Sequence, residues 1–209
     1  MSKHKLIELK SSLKDDDDDI DWEEGGSSNG ILSVPTTSKE SIIFFPETVG
    51  EFSDFKIIVE HLIMSKIGDK ITIYIANRGG SCSTSISIVN YMKKCKAEIT
   101  IQVTAPCYSA GSLIALAGDK LEMLPNTFLM FHNYNSLEYG KGNELVTSVT
   151  ETDRWIKEYY RDLQTPFLTL EEIERIFTDR DLYIHSNEKT TLDRINRHQK
   201  AHKRAWIYK

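Results

Sequence analysis

No apolar run in the sequence approaches the roughly 18 residues that a membrane-crossing helix needs, so no transmembrane segment is expected. The start, Met1-Ser2-Lys3-His4-Lys5, leads into no apolar stretch of signal-peptide length, so secretion through a cleaved signal is not expected either. Cysteine is scarce: Cys82, Cys95 and Cys107 are an odd, scattered set without a Cys-x-x-Cys spacing. That suits a reducing cytoplasm better than a disulfide scaffold. His-Glu-x-x-His is missing too, so no metal site is expected. The chain also lacks a P-loop and the three-glycine dinucleotide fingerprint, so no cofactor is expected and nucleotide hydrolysis is assigned to no part of it.

What is present fits one globular domain. The 209 residues are 40% hydrophobic and 27% charged, enough for a single sizeable core. The net charge of −5 is unevenly spread. Asp15 to Asp19, Asp21, Glu23 and Glu24 are eight acids without a base, and taking them out of the net −5 leaves +3. From Lys189 to Lys209, seven bases face one acid, Asp193. Residues 1–38 therefore read as a flexible acidic arm, 39–188 as the folded domain and 189–209 as a solvated basic tail, with nucleic-acid binding weakly supported.

Within the domain, strands and helices alternate. Ser41–Phe45 reads as a buried strand ended by Pro46. Phe52, Phe55, Val59, Leu62, Ile63 and Ile67 recur at helical spacing. Ile71, Ile73 and Ile75 alternate with Thr72 and Tyr74 as a strand. A helix over 83–94, a strand through Ile99, Ile101 and Val103, and a small apolar helix over 109–117 follow. Leu121–Leu124 and Phe128–Phe131 read as short strands, 144–163 as a long helix, and 170–177 as a short helix capped by Thr169 with Glu172. This order implies an α/β fold with parallel pairing through crossovers, whose ligands bind where strand ends meet helix starts.

Two such junctions carry candidate chemistry. Asn77-Arg78-Gly79-Gly80-Ser81 is either an anion-binding turn of backbone N–H groups or an ordinary glycine-rich turn. In Pro106-Cys107-Tyr108-Ser109-Ala110-Gly111-Ser112, Ser109 is either a nucleophile at a helix start or a simple cap. Cys107 is the rival nucleophile, but it precedes the turn and is expected to pack behind the strand end. A serine nucleophile needs a base. His132 closes the strand 128–131 and can aim at the same cleft, unless it is merely structural; His185 is the runner-up. His61 lies beside a helix's apolar face, while His4, His198 and His202 fall in the ends. A carboxylate that fixes the imidazole tautomer is offered by Asp179 or Asp181, with Asp181 expected to be the buried one.

Taken in order, these segments resemble ClpP, the proteolytic subunit of the Clp protease. The segments are Asn77-x-Gly79-Gly80-Ser81, then Ser109-Ala110-Gly111-Ser112-Leu113, then Leu124-Pro125-Asn126 running into Phe131-His132, and finally Thr178-Asp179-Arg180-Asp181. The resemblance runs from about Glu40 to Glu188. It implies a ClpP/crotonase-like fold of repeated β-β-α units, a mostly parallel sheet and a protruding handle helix. It also implies a serine endopeptidase in which Ser109 is the nucleophile, His132 the base, Asp181 the orienting acid, and the N–H groups of Gly79 and Ala110 the oxyanion hole. Heptameric rings stacked in pairs, unfolded polypeptide substrates and an ATP-consuming AAA+ unfoldase complete what it implies, with Tyr134–Leu163 as the handle and Asp179-Arg180 as a ring-contact pair. Arg78 stands where the family usually has proline, Cys107-Tyr108 replace small residues, and both ends depart from the family. Those departures keep open an alternative, an inactive ring subunit that modulates an active homologue. A thioester hydrolase of the wider crotonase fold is disfavoured by the complete serine–histidine–aspartate set.

Overall fold

The computed structural model describes residues 31–34 and 39–202. Among these, eight strands form two sheets. The larger has the order β1-β2-β3-β4-β6, from β1 (Ile31–Val34), β2 (Glu40–Phe44), β3 (Lys70–Ile75), β4 (Glu98–Val103) and β6 (Lys120–Met123). β2, β3, β4 and β6 run parallel, and β1 pairs antiparallel with β2. The smaller sheet has β7 (Phe128–Phe131) between β5 (Cys107–Tyr108), its parallel neighbour, and β8 (Leu182–His185), its antiparallel one. The α/β class with a mostly parallel sheet is thus established.

Alternation builds the core. Ile43, Ile73, Ile101 and Leu121 form one continuous row across four strands, and all four are buried. Burying such a side chain contributes about 1.5–3 kcal/mol relative to leaving it in water. The crossover from β2 to β3 runs through a 3₁₀ turn (Phe52–Phe55) and α1 (Lys56–Met64). α2 (Cys82–Lys94) links β3 to β4, and α3 (Ala110–Ala115) leads to β6. Ser81 caps α2 by accepting the Thr84 N–H at 3.2 Å. α4 (Gly142–Gln164) buries Ile156, Tyr160 and Leu163 near its C-terminal end, while Val146, Val149 and Trp155 of its outer part stay exposed. α5 (Leu170–Thr178) has the expected capping box between Thr169 and Glu172.

The structure corrects the expectation at both ends of the domain. Residues 31–34, assigned from sequence to the acidic arm, pair with β2; the rest of that arm, and residues 203–209, lie outside the described residues. The basic segment forms α6 (Thr191–His202), which docks on the body. Ile195 and His198 are buried there, His198 at 1% exposure with its Nε2 2.7 Å from the Leu116 carbonyl oxygen. Arg194 fixes the helix by a bidentate pair to Glu172 at 2.7 and 2.9 Å and a bond to the Phe167 carbonyl at 3.1 Å. Of the other bases in this helix, Arg197 and Lys200 are exposed on its outer side.

Candidate active site

Ser109 sits between β5 and α3 with φ 52° and ψ −121°. A left-handed φ at a residue with a Cβ is strained, and it persists only where neighbours over-determine it. Here they do. The Ser109 N–H donates to the Met130 carbonyl at 2.8 Å, and the preceding Tyr108 N–H donates to the Asn77 carbonyl at 2.9 Å. Ser112, fully buried, donates through Oγ to the Cys107 carbonyl at 2.9 Å and accepts the Met130 N–H at 3.1 Å. The turn is thereby clamped to β7. The Ser109 hydroxyl makes no capping bond to α3, which removes the simple-cap reading.

The glycine turn lies directly against this serine. Gly79 has φ 87°, and a Cβ placed on it would stand 2.9 Å from Ser109 Cβ and 3.0 Å from the Tyr108 carbonyl oxygen, so only glycine fits. Its N–H, expected from the resemblance to face an oxyanion, donates instead to Asn77 Oδ1 at 2.7 Å. The other end of the Asn77 amide donates to the Pro46 carbonyl at 2.7 Å. Among the described residues, the N–H groups of Gly80 and Ala110 take part in no hydrogen bond. Ala110 is the first residue of α3, where N–H groups have no partner within the helix.

His132 follows β7 and shares a cavity of about 360 Å³ with Ser109, Ala110 and Gly80. Leu113 and Tyr160 form part of its apolar wall. The β7–β8 ladder ends with the pair Phe131 and Leu182, and His132 and Asp181 are the residues that flank this last pair. The topology therefore brings the three predicted residues to one end of the smaller sheet. It does not join them: among the described residues no hydrogen bond links Ser109 to His132 or His132 to Asp181. Asp181 is exposed, which corrects the expectation that it is buried; it precedes β8 rather than lying under it. Asp179 is exposed as well, within ion-pair range of Arg175 at 4.0 Å and Arg180 at 3.8 Å.

The rival groups are placed elsewhere. Cys107 is fully buried, its Sγ 3.8 Å from the Ile75 carbonyl oxygen, and burial pushes its thiol up to about 12. A thiol that resists ionisation is a poor nucleophile. His185 is exposed on β8 with its ring 5.3 Å from that of Phe128. His61 is half-buried on α1, and burial lowers its pKa. Among the described residues, no group of three or more His, Cys, Asp or Glu side chains is placed to hold a metal ion. A larger cavity of about 540 Å³, lined by Glu47, Ala105, Pro106 and Tyr108 among others, contains neither Ser109 nor His132; Arg78 lines both cavities. Of the two, the smaller one is lined by both the candidate nucleophile and the candidate base.

With this geometry in view, comparison with known families is decisive. The Clp protease family profile matches residues 26–193. The chain belongs to the Clp protease family. A curated relative, the ATP-dependent Clp protease proteolytic subunit 3, chloroplastic, from Arabidopsis thaliana, is 25% identical over 117 residues. That match covers 54% of this chain and 38% of the relative, so the chain spans well under half of the relative's length in the matched region. Family membership accounts for the resemblance and the parallel sheet. It leaves unexplained two residues that sequence reasoning missed, Asn77 and Ser112. Both stand within the quoted motifs, but their signal was weak: a polar residue beside a turn and a serine inside an apolar helix do not reveal which groups they bond.

Proposed function

We propose that this chain is a ClpP-type serine endopeptidase acting on unfolded polypeptides. The observation that supports it best is the strained Ser109, lining a cavity that His132 shares, with Asp181 just before the strand that pairs with β7. In this reading His132 takes the Ser109 proton as the oxygen attacks a peptide carbonyl. Asp181 fixes the imidazole tautomer and stabilises the imidazolium, which then protonates the leaving amine. Water, activated by the same histidine, releases the acyl group. The Ala110 N–H supplies one oxyanion donor. The glycine turn supplies the second: the Gly80 N–H is open, and the Gly79 N–H becomes available on leaving Asn77 Oδ1. General base catalysis contributes roughly 10²–10⁴-fold, and one oxyanion donor about 10²–10³-fold.

The reaction so written uses no cofactor. The subunit would work in stacked rings, with the exposed outer part of α4 as the handle and an AAA+ unfoldase spending the ATP. The cysteine pattern supports a reducing compartment such as the cytoplasm; no helix among the described residues is long and apolar enough to cross a membrane. A fluorophosphonate probe should label Ser109 in the purified particle, and Ser109→Ala should remove both label and peptide cleavage. An assembled particle that takes no label would refute the reading.

The unjoined Ser109, His132 and exposed Asp181 favour one second reading, a ring subunit without cleavage activity that modulates an active homologue. It requires co-purification with a second ClpP-like chain, and a pure particle that cleaves peptides eliminates it.

A further inference from the structure

Arg78 occupies a fixed position in the turn that packs against the serine. Its backbone is held on both sides. The Arg78 N–H donates to the Glu47 carbonyl at 2.7 Å, Asn77 before it is 1% exposed and bonded at both ends of its amide, and Gly79 after it abuts Ser109. The side chain is exposed and reaches the lining of both cavities. Among the described residues it makes no ion pair.

The two cavities differ in their charged lining, the larger one balancing Arg78 with an acid. No aspartate or glutamate lines the one that holds Ser109 and His132. The larger one is lined by Glu47, which would repel an anion there. A guanidinium is always charged and presents a planar fork of donors that matches a carboxylate. An unpaired one at an acid-free cavity mouth is a receptor for that group.

We propose that Arg78 is a specificity-determining residue that binds a carboxylate of the peptide next to the bond presented to Ser109, so that this cavity selects acidic peptides. The inference rests on the peptidase reading, since that reading places a peptide in the cavity. The carboxylate has two sources, an acidic side chain or the peptide's own C-terminus. Both satisfy the same fork.

The test is direct binding, which does not depend on turnover. Three fluorescent peptides of one length are titrated into the full-length Ser109→Ala chain: one with a central Glu and an amidated end, its Gln isostere with an amidated end, and the Gln peptide with a free C-terminus. The Glu peptide should bind roughly two- to fivefold more tightly than its isostere, the range expected for a solvent-accessible ion pair, and added salt should erode the difference. Adding Arg78→Ala should abolish the preference, Arg78→Lys should keep part of it, and Arg78→Glu should reverse it, so that the Gln isostere binds more tightly than the Glu peptide. A preference confined to the free C-terminus and lost in Arg78→Ala assigns the carboxylate to the chain end. Equal binding of all three peptides, no measurable binding of any, or a preference that survives Arg78→Ala overturns the proposal. Failure of the peptidase reading shows separately, as a wild-type particle whose Ser109 takes no fluorophosphonate label.

Discussion

The side chain of Asn77 and the backbone N–H of Gly79 are joined at 2.7 Å, and through that bond a buried amide holds the turn that faces Ser109. The same amide is tied to Pro46, so the turn is braced against the strand-to-helix loop that follows β2. Asn77→Ala leaves the Pro46 carbonyl and the Gly79 N–H without this partner. The expected cost is about 1–3 kcal/mol of stability per buried polar group left unsatisfied, read from denaturant unfolding. Asn77→Asp keeps the acceptor for Gly79 but faces the Pro46 carbonyl with an oxygen. It should lose stability as well, and slow fluorophosphonate labelling by placing a negative charge beside the developing oxyanion. Labelling at the wild-type rate in Asn77→Asp would show that the turn acts independently of this residue.

Gly79→Ala addresses the same turn from the other side. The added methyl meets Ser109 Cβ at 2.9 Å in a backbone conformation that disfavours any Cβ. The left-handed conformation alone costs roughly 1–2 kcal/mol. Displacement of Ser109 should lower the labelling rate by at least about tenfold, on the scale of a lost transition-state contact. Circular dichroism should report an otherwise native fold.

Acid should loosen the C-terminal helix first. The Arg194 guanidinium, hydrogen-bonded to Glu172, holds that carboxyl down at about 2 against a usual value of 4.5, despite partial burial. A carboxyl depressed by folding adds stability above its unfolded pKa, and that contribution fades as pH falls from about 4.5 toward 2. Urea midpoints measured across this window should drop in the wild type. Arg194→Met should be weaker at neutral pH and lose less on acidification.

Alkylation separates the cysteines. With its thiol raised to about 12 by burial, Cys107 should resist iodoacetamide at mildly alkaline pH until the protein unfolds. Cys82, partly exposed at the start of α2 and lining the Ser109 cavity, should react first. Peptide mapping by mass spectrometry gives the order.

Where one side chain sets a local pattern, the sequence was readable. Ile71, Ile73 and Ile75 announce β3, and Thr169 with Glu172 announces the start of α5, because a strand's alternation and a capping box are complete within a few residues. The approximate positions of Ser109 and His132 were readable as ends of short elements. α6 was not. Its buried stripe is little more than Thr191, Ile195 and His198, too narrow to stand out among the bases around it. β1 was hidden for a similar reason: Ile31–Val34 is four residues long and flanked by glycine, serine and proline. The bracing role of Asn77 and the exposure of Asp181 depend on partners far along the chain, which no local pattern encodes.

The pairing of β7 with β8 also imposes an order in time. Ser109 and His132 belong to segments that meet through the short-range pairing of β5 with β7, whereas Asp181 arrives only when β8 docks across the long excursion through α4 and α5. The entropy of closing a loop rises with its length, and pairings distant in sequence form late. On that order, a chain leaving the ribosome would place its serine and histidine segments side by side while the carboxylate is still unmade or unplaced. Ribosome-bound chains stalled before residue 182 should leave Ser109 unlabelled. On the peptidase reading, the linear order of the three groups is then a built-in delay, which would keep an immature subunit from cutting the unfolded polypeptides around it, itself included.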